Sequence, residues 1–194
     1  MKLVFASNNK HKLSEIVSII NSEKVTKFEI VSLSEIGFFD EIEETGTTLE
    51  QNAEIKALTI FQKTGLDCFA DDSGLEVEAL DGRPGVFSAR YYGENCTYEQ
   101  NNTKLLDELK NETNRKACFR TVIALIIKGK IHYFEGRING IITKTPIGES
   151  GFGYDPIFMP DGYNLTFAQM TSELKNAISH RKRAFEKMAE YLRN

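Results

Sequence analysis

Short apolar runs alternate with segments in which apolar residues recur at helical spacing. LVFA at 3–6 predicts a buried strand. Four apolar residues then recur at the spacing of one helix face: Leu13, Ile16, Val17 and Ile20. FEIVSL predicts a second strand. This order of elements predicts an α/β fold, with the polar stretch SNNK forming the turn from the first strand to the first helix.

The middle of the chain continues the pattern. A helix is expected after a capping box formed by Thr47 with Glu50 or by Thr48 with Gln51, and Gly65 is expected to end it. LDCFAD predicts a buried strand that ends at Asp72, and LEVEAL has the alternation of a half-exposed strand. Ser73 and Gly74 between them are expected to give the chain a sharp exit.

The second half predicts longer strands. A helix is expected around 97–110, followed by the strand candidates ACFRTVIALIIK and IHYFEGRINGIIT. Gly129 and Lys130 lie between them and indicate a hairpin, so at least one strand pair is antiparallel. The end is predicted to be helical with Ser179 as its N-cap. Because no repeat or long linker interrupts the chain, residues 1–194 are expected to form a single domain.

Composition excludes several classes of protein. The net charge of −4 argues against a protein that coats nucleic acid, which usually needs a basic surface. The 3 cysteines have neither a disulfide pattern nor zinc-ligand spacing. MKLVFASNNK is too short in its apolar part for a signal peptide or a membrane span. We therefore expect a cytoplasmic protein with reduced cysteines and no membrane or nucleic-acid partner.

The first candidate site is the strand-to-helix turn. A helix N-terminus presents unpaired N–H groups and a positive dipole end, and nearby lysines add countercharge for a phosphate. The six candidate residues are Ser7, Asn8, Asn9, Lys10, His11 and Lys12. The alternative is an Asn-capped helix start with solvated lysines. The P-loop motif of nucleotide-binding proteins is absent.

The second candidate site is a pair of acids. Glu44 ends an acidic cluster, and Asp72 follows an apolar strand. If the two side chains converged, they would offer the hard oxygen ligands that Mg²⁺ prefers, together with substrate phosphates. The alternative is a solvated acidic loop.

Two further segments carry groups that suit a flat, polar ligand. In SGFGYDP, the rings of Phe152 and Tyr154 can stack on a base and Asp155 can accept hydrogen bonds, although a β-turn packing two aromatic rings is the alternative. ELKNAISHRKR places Lys175, His180 and Arg181 around a helix start. A positive charge there opposes the helix dipole, which is locally unfavourable and points to a function.

The combination of these segments resembles a known family. SNNKHK, EETGTTLEQNAEIKA, FADDSGLEVEALDGRPGVFSARY, GFGYDPIF and ELKNAISHR occur in the order and with the spacing of the blocks of the inosine/xanthosine triphosphate pyrophosphatases. These enzymes hydrolyse non-canonical purine nucleoside triphosphates. The resemblance implies a two-lobed α/β fold with a long, mixed, twisted sheet flanked by helices and an active-site cleft between the lobes. It also implies a homodimer.

The resemblance assigns roles to individual residues. Residues 7–12 match the turn that grips phosphate, and Lys56 matches a helix lysine that reaches the phosphates. Glu44 and Asp72 match the acids that bind Mg²⁺, and Asp72 also matches the proton acceptor. Further substrate contacts are implied for Ser73, for the base-binding loop with its stacking ring (Phe152, Gly153, Tyr154 and Asp155), and for the groups that read the purine edge (Lys175, His180 and Arg181).

The implied reaction is hydrolysis of ITP, dITP or XTP to the monophosphate and pyrophosphate, which cleanses the nucleotide pool. Two alternatives remain open. One is a related pyrophosphatase for modified pyrimidine nucleotides, against which the aromatic loop and the His180–Arg181 pair argue. The other is a nucleotide-binding protein without catalytic activity, against which the retention of Glu44 and Asp72 argues.

Overall fold

The strands and helices that the apolar pattern predicts are present in a computed structural model, which describes residues 1–23 and 28–193. In chain order they are β1 (Lys2–Phe5), α1 (Lys10–Glu23), β2 (Glu29–Ser32), α2 (Leu49–Thr64), β3 (Cys68–Val77), β4 (Pro84–Gly85), α3 (Tyr98–Glu108), β5 (Lys116–Ile127), β6 (Lys130–Ile142), β7 (Phe158–Pro160), α4 (Ser172–Ile178) and α5 (His180–Arg193). The predicted α/β class is confirmed. No helix in these two described stretches is long and apolar enough to cross a membrane.

The described strands form one mixed sheet of 7 strands in the order β2-β1-β3-β5-β6-β7, with β4 paired to β3. β1 runs parallel to β2 and β3, whereas β7 is antiparallel to β6. Lys128 and Gly129 join β5 to β6, and both have positive φ, at 49° and 75°. A two-residue link of this kind forces an antiparallel hairpin. The predicted hairpin is confirmed, with its turn one residue earlier than expected.

The chain divides into two compact units. Unit 1 contains Met1–Asp72, Thr121–Gly136 and Arg181–Asn194, and unit 2 contains Ser73–Arg120 and Arg137–His180. Strands β3, β5 and β6 each contribute residues to both units. Two units agree with the two lobes that the family resemblance implies.

Unit 1 has helices on both faces of its strands. Along β1, Leu3 and Phe5 belong to a core cluster with residues of α1 and α5. Val4 and Ala6 belong to a second cluster with residues of α2. Because successive strand residues point to opposite faces, this division gives three layers, with α1 and α5 on one face and α2 on the other. Strands that are buried on both faces explain the continuous apolar run LVFA.

Unit 2 has its own core. Leu75 and Val77 from β3 pack with Leu105 from α3. The ring of Phe119 on β5 meets the ring of Phe158 on β7 edge-on, with the ring centroids 4.6 Å apart. The short strand β7 was not predicted, because only its pairing with β6 identifies it.

β3 does not end at Asp72. The strand runs from Cys68 to Val77 and includes Ser73 and Gly74, so the predicted strand end is wrong. Gly74 permits a close approach of β4 instead of a turn, because a Cβ atom at Gly74 would lie 2.3 Å from the carbonyl oxygen of Gly85. The backbone of Leu75, the residue after Gly74, is bound by Ser88, whose Oγ accepts a hydrogen bond from the Leu75 N–H at 2.9 Å.

The helix ends agree with the sequence in part. The Thr48 side chain caps α2 by accepting a hydrogen bond from the Gln51 N–H at 3.2 Å, and Gly65 ends the helix with φ of 69°. Ser179 directly precedes α5, as expected. It also forms the C-cap of the short helix α4, which the apolar pattern did not separate from the C-terminal helix.

We expect Gly74→Ala to lower the free energy of unfolding by about 1–3 kcal/mol, because the added methyl group would clash with backbone that cannot rotate away. Urea denaturation followed by circular dichroism measures the change. Thr103→Ala, on the exposed side of α3, is the control and should change the unfolding free energy by about 0.5 kcal/mol or less. Equal stability of Gly74→Ala and the parent would contradict the close approach of β4.

Candidate active site

Asp71 and Asp72 point to opposite faces of the sheet in unit 1. Along β3, Phe69 belongs to the core cluster that contains residues of α1 and α5, and Ala70 belongs to the cluster that contains residues of α2. The alternation of a strand therefore directs Asp71 toward α1 and α5, and Asp72 toward α2. The hydrogen bonds and ion pairs of the two carboxylates agree with this assignment.

Asp71 lies between two cations. Its Oδ2 atom is 3.2 Å from Lys12 Nζ and accepts a hydrogen bond from Arg181 Nε at 3.2 Å, and its side chain is 0% exposed. Burial raises the pKa of this carboxyl, but Lys12 and Arg181 outweigh it and hold the pKa well below its usual range. The ionised form of Asp71 is therefore strongly favoured at neutral pH.

Arg181 joins three elements of unit 1. From the first turn of α5 it binds Asp71 on β3, and its NH1 group donates to Glu15 on α1. The guanidinium side chain is only 2% exposed, so both carboxylates bind a desolvated cation. Such pairs are stabilising only when every partner is retained. The purine-reading role expected of Arg181 stays a prediction, and its contacts give it a structural task in unit 1.

Asp72 has a different environment. Its Oδ1 atom is 3.5 Å from Lys56 Nζ, and the same ammonium group binds Glu44 Oε1 at 2.5 Å. Burial has the largest effect on Asp72 and raises the pKa of its carboxyl. Lys56 acts against that effect, while the charge of Glu44 adds to it, and the pKa stays raised. Asp72 is therefore a better proton acceptor than an ordinary carboxylate.

Asn52 is a member of this site that the sequence analysis missed. Its Nδ2 donates to Asp72 Oδ2 at 3.3 Å, and its Oδ1 accepts from the N–H of Gly46 at 2.8 Å. It therefore connects Asp72 to the loop that carries Glu44. The signal that could have identified Asn52 is its place as a polar residue on the buried face of α2, one turn before Lys56.

Glu44 and Asp72 could hold a divalent cation, because both carboxylates already bind a single positive charge, the Lys56 ammonium group. No cluster of 3 or more His, Cys, Asp or Glu side chains suited to a metal occurs in residues 1–23 and 28–193. Mg²⁺ often binds through one or two carboxylates, with phosphate and water oxygens completing its shell. The donor set fits that mode.

The turn after β1 has the predicted form. Asn9 Oδ1 accepts from the N–H of Lys12 at 3.1 Å, and Ser7 Oγ accepts from the N–H of Asn9 at 3.2 Å. α1 thus begins with an Asn cap directly after the strand. Asn8, Lys10 and His11 are exposed at this turn. Lys12 is half-buried, and burial lowers the pKa of its ammonium group.

In unit 2, Asp155 organises the glycine-rich loop. Its Oδ2 accepts hydrogen bonds from the Phe152 N–H at 2.8 Å and from Lys175 Nζ at 2.6 Å. Lys175 Nζ also lies 4.6 Å from the centre of the Phe152 ring, which is a cation–π distance. One buried carboxylate therefore fixes both the predicted stacking ring and the predicted donor.

Tyr154 and His180 are buried in unit 2. The Tyr154 hydroxyl donates to the carbonyl oxygen of Ser88 at 2.9 Å, and its ring belongs to the core. Of the two rings that the sequence suggested for stacking, Phe152 alone is half-buried at the loop, while Tyr154 is a core residue. His180 stacks on Phe119 with ring centroids 4.8 Å apart.

The structure gathers the predicted residues into two sets. In unit 1 the ion pairs form two groups on opposite faces of the sheet: Asp71 binds Lys12 and Arg181, and Lys56 binds Glu44 and Asp72. In unit 2 it brings together Phe152, Asp155 and Lys175. Gly153 and Tyr154 lie in the same loop, and Ser73 is a half-buried residue of β3. The roles of these residues toward a substrate stay predictions.

The two buried acids within β3, the capped turn at α1 and the organised loop together match the motifs on which the family resemblance rests. The model of the Ham1 family matches residues 3–191. The chain belongs to the Ham1 family. The resemblance stated from the sequence is confirmed, since this match covers nearly the whole chain.

Other proteins are similar to this chain over its full length. A Flavobacterium psychrophilum protein named dITP/XTP pyrophosphatase is 53% identical over 194 residues, covering 100% of both chains. The structure of the Staphylococcus aureus Ham1 protein has a TM-score of 0.87 and 40% identity, covering 100% of this chain and 98% of that one. A HAM1 protein from Coxiella burnetii has a TM-score of 0.90 and 38% identity, with the same coverage.

We expect Asp71→Asn to be far more destabilising than Asp72→Asn. Neutralising Asp71 leaves Lys12 and Arg181 in a buried site without their shared anion, for which a loss of about 3–5 kcal/mol in unfolding free energy is typical. Asp72→Asn should have a much smaller effect, because burial already disfavours the charge of Asp72 and Lys56 keeps Glu44 as a partner. Urea denaturation at neutral pH measures both variants, and equal losses would refute the assigned difference.

Proposed function

We propose that this Ham1 family member hydrolyses dITP, ITP and XTP to the nucleoside monophosphate and pyrophosphate. The observation that carries the proposal is the environment of Asp72, a buried carboxylate with a raised pKa that shares the Lys56 ammonium group with Glu44. The name of the F. psychrophilum relative, dITP/XTP pyrophosphatase, supports dITP and XTP as substrates.

Glu44 and Asp72 would hold a divalent metal ion, for which we propose Mg²⁺. When bound, the ion would neutralise the charge that develops on the phosphates during hydrolysis. Lys56 binds both acids, so its ammonium group would lie close to the phosphates that accompany the metal. Asn52 binds both the loop that carries Glu44 and the Asp72 side chain, and so would hold the two acids in position for the metal.

Asp72 would accept the proton of the attacking water. A general base is most effective when its pKa approaches the working pH, and burial shifts the pKa of Asp72 in that direction. Asp71 next to it stays charged and binds Lys12. Adjacent strand residues thus supply one proton acceptor and one fixed anion.

The N-terminal turn of α1 would bind the phosphates. Residues 7–12 offer the N–H groups and the positive dipole end of a helix of 14 residues, with Lys10 and Lys12 as countercharges. Lys12 binds Asp71, so its position in this turn is set by the strand that carries the acids. Ser73, the next residue along β3, is proposed as a further substrate contact.

The loop in unit 2 would bind the base. Phe152 supplies the stacking ring, and Lys175 and His180 are proposed to read the purine edge, with Arg181 as a third group. Lysine, arginine and a protonated histidine donate hydrogen bonds and accept none. They can therefore pair with the 6-oxo group of hypoxanthine or xanthine but not with the 6-amino group of adenine.

Two further features of the proposal concern the working form of the enzyme. We propose a homodimer, as the family resemblance implies. We also propose that the enzyme acts on the cytoplasmic nucleotide pool, which agrees with 3 cysteines that form no disulfide in the described part of the chain.

We expect kcat/KM for dITP, ITP and XTP to exceed that for ATP by about 10³ to 10⁴, because adenine would leave buried donors unpaired. The assay is a panel of purine and modified pyrimidine nucleotides with Mg²⁺, with chromatography to separate the monophosphate plus pyrophosphate from the diphosphate plus phosphate. Comparable rates on ATP and ITP would refute the base specificity. A preference for a pyrimidine nucleotide, or a diphosphate product, would refute the function.

We expect Glu44→Gln to raise the Mg²⁺ concentration needed for half-maximal activity by about tenfold or more, because an uncharged amide binds a hard cation weakly. Titration of Mg²⁺ at saturating dITP measures the effect. Glu43→Gln is the matched control, because Glu43 is an exposed acid of the same loop. A Mg²⁺ dependence that is identical in the two variants would remove Glu44 from the metal site.

A further inference from the structure

One face of α3 contacts the base-binding loop. Tyr98 and Asn102 lie one helical turn apart and therefore on the same side of the helix. The Tyr98 ring lies beside Phe152, with the ring centroids 6.3 Å apart. Asn102 Nδ2 donates a hydrogen bond to the carbonyl oxygen of Gly153 at 3.1 Å. Both contacts meet the loop at or next to the predicted stacking ring.

The bond to Gly153 is made where the loop backbone is unusual. Gly153 has φ of 61°, a left-handed conformation that glycine adopts freely. Tyr154 and Asp155 are held through their side chains by Ser88 and Lys175. Asn102 instead holds the backbone itself, at the residue that directly follows Phe152. This bond therefore controls the direction in which the chain leaves the stacking ring.

Packing alone would not favour an asparagine at position 102. Asn102 is 6% exposed, and its Oδ1 atom is buried without a hydrogen-bond partner among the described residues. An unpaired buried acceptor reduces stability, which an apolar side chain of similar size would avoid. The amide must then be retained for the bond that its Nδ2 group makes.

The neighbouring Asn101 shows what a structural asparagine does on this helix. Its Nδ2 donates to the carbonyl oxygen of Ala89 at 3.1 Å, and its Oδ1 accepts from the Tyr92 N–H at 2.7 Å. Its amide therefore fixes the segment before α3, whereas the amide of Asn102 donates to the glycine-rich loop. Asn101 and Asn102 are equally buried and make the same kind of donor bond to different targets.

We infer that Asn102 is a positioning residue for base binding, which acts by fixing the backbone next to Phe152. The inference rests on the proposed function, because it takes the loop at 151–155 as the base site. It predicts that the α3 face formed by Tyr98 and Asn102 determines how well the loop receives the purine, with no direct part in phosphate chemistry.

The test compares Asn102→Asp and Asn102→Leu with Asn101→Asp. In both Asn102 variants we expect KM for dITP and XTP to rise roughly three- to tenfold while kcat changes less than about twofold, the loss expected for one hydrogen bond. Asn101→Asp should lower the melting temperature and leave KM unchanged. An unchanged KM in Asn102→Asp overturns the inference, as does an equal rise in KM in the control.

Hydrogen exchange of a peptide covering 148–157, measured without nucleotide, gives a readout that does not depend on activity. We expect faster exchange of the Phe152 amide in Asn102→Asp and Asn102→Leu, and parental exchange in Asn101→Asp. Parental exchange in the Asn102 variants overturns the inference. If the parent hydrolyses neither dITP nor XTP, the proposed function fails, and the exchange data still decide whether Asn102 holds the loop.

Discussion

The alternation of side chains along β3, in a sheet covered by helices on both faces, is the constraint on which the site in unit 1 depends. It places two adjacent carboxylates in different surroundings without any change in the backbone. Asp71 meets Lys12 and Arg181, and its pKa falls. Asp72 binds Lys56, which it shares with a second acid, Glu44, and burial keeps its pKa raised. A one-residue shift of β3 would turn each of these side chains to the opposite face of the sheet and break the ion pairs seen here.

The same charges stabilise the fold and the site. Lys12, Lys56 and Arg181 come from the three helices that cover unit 1, and each binds a carboxylate on β3. Desolvated charges are tolerated because each has partners with defined geometry, so the helices can occupy only a narrow range of positions. The Lys12–Asp71 pair, for example, brings the turn that follows β1 next to the acids of β3, which runs parallel to β1.

Much of the fold followed from the sequence because its signals are local. The apolar period identifies β1 and α1, and Gly65 ends α2 as expected. The continuity of β3 was missed because Ser73 and Gly74 favour a turn locally, whereas a distant contact with Gly85 decides their conformation. Arg181 and Asp71 are 110 residues apart, so no spacing rule could pair them.

The family motifs identified the predicted site residues but did not show which of them lie in unit 1 and which in unit 2. If the proposed function holds, the groups that act on phosphates are in unit 1, and most of those that recognise the base are in unit 2. The base loop is held by Asp155, Lys175 and Asn102 through bonds that exist without nucleotide. The free energy of folding therefore already includes the cost of ordering this loop. Little further conformational entropy of the loop would be lost when a base binds. Selectivity in such a loop depends on where the fixed donors point, since they cannot adjust to a base with the wrong edge.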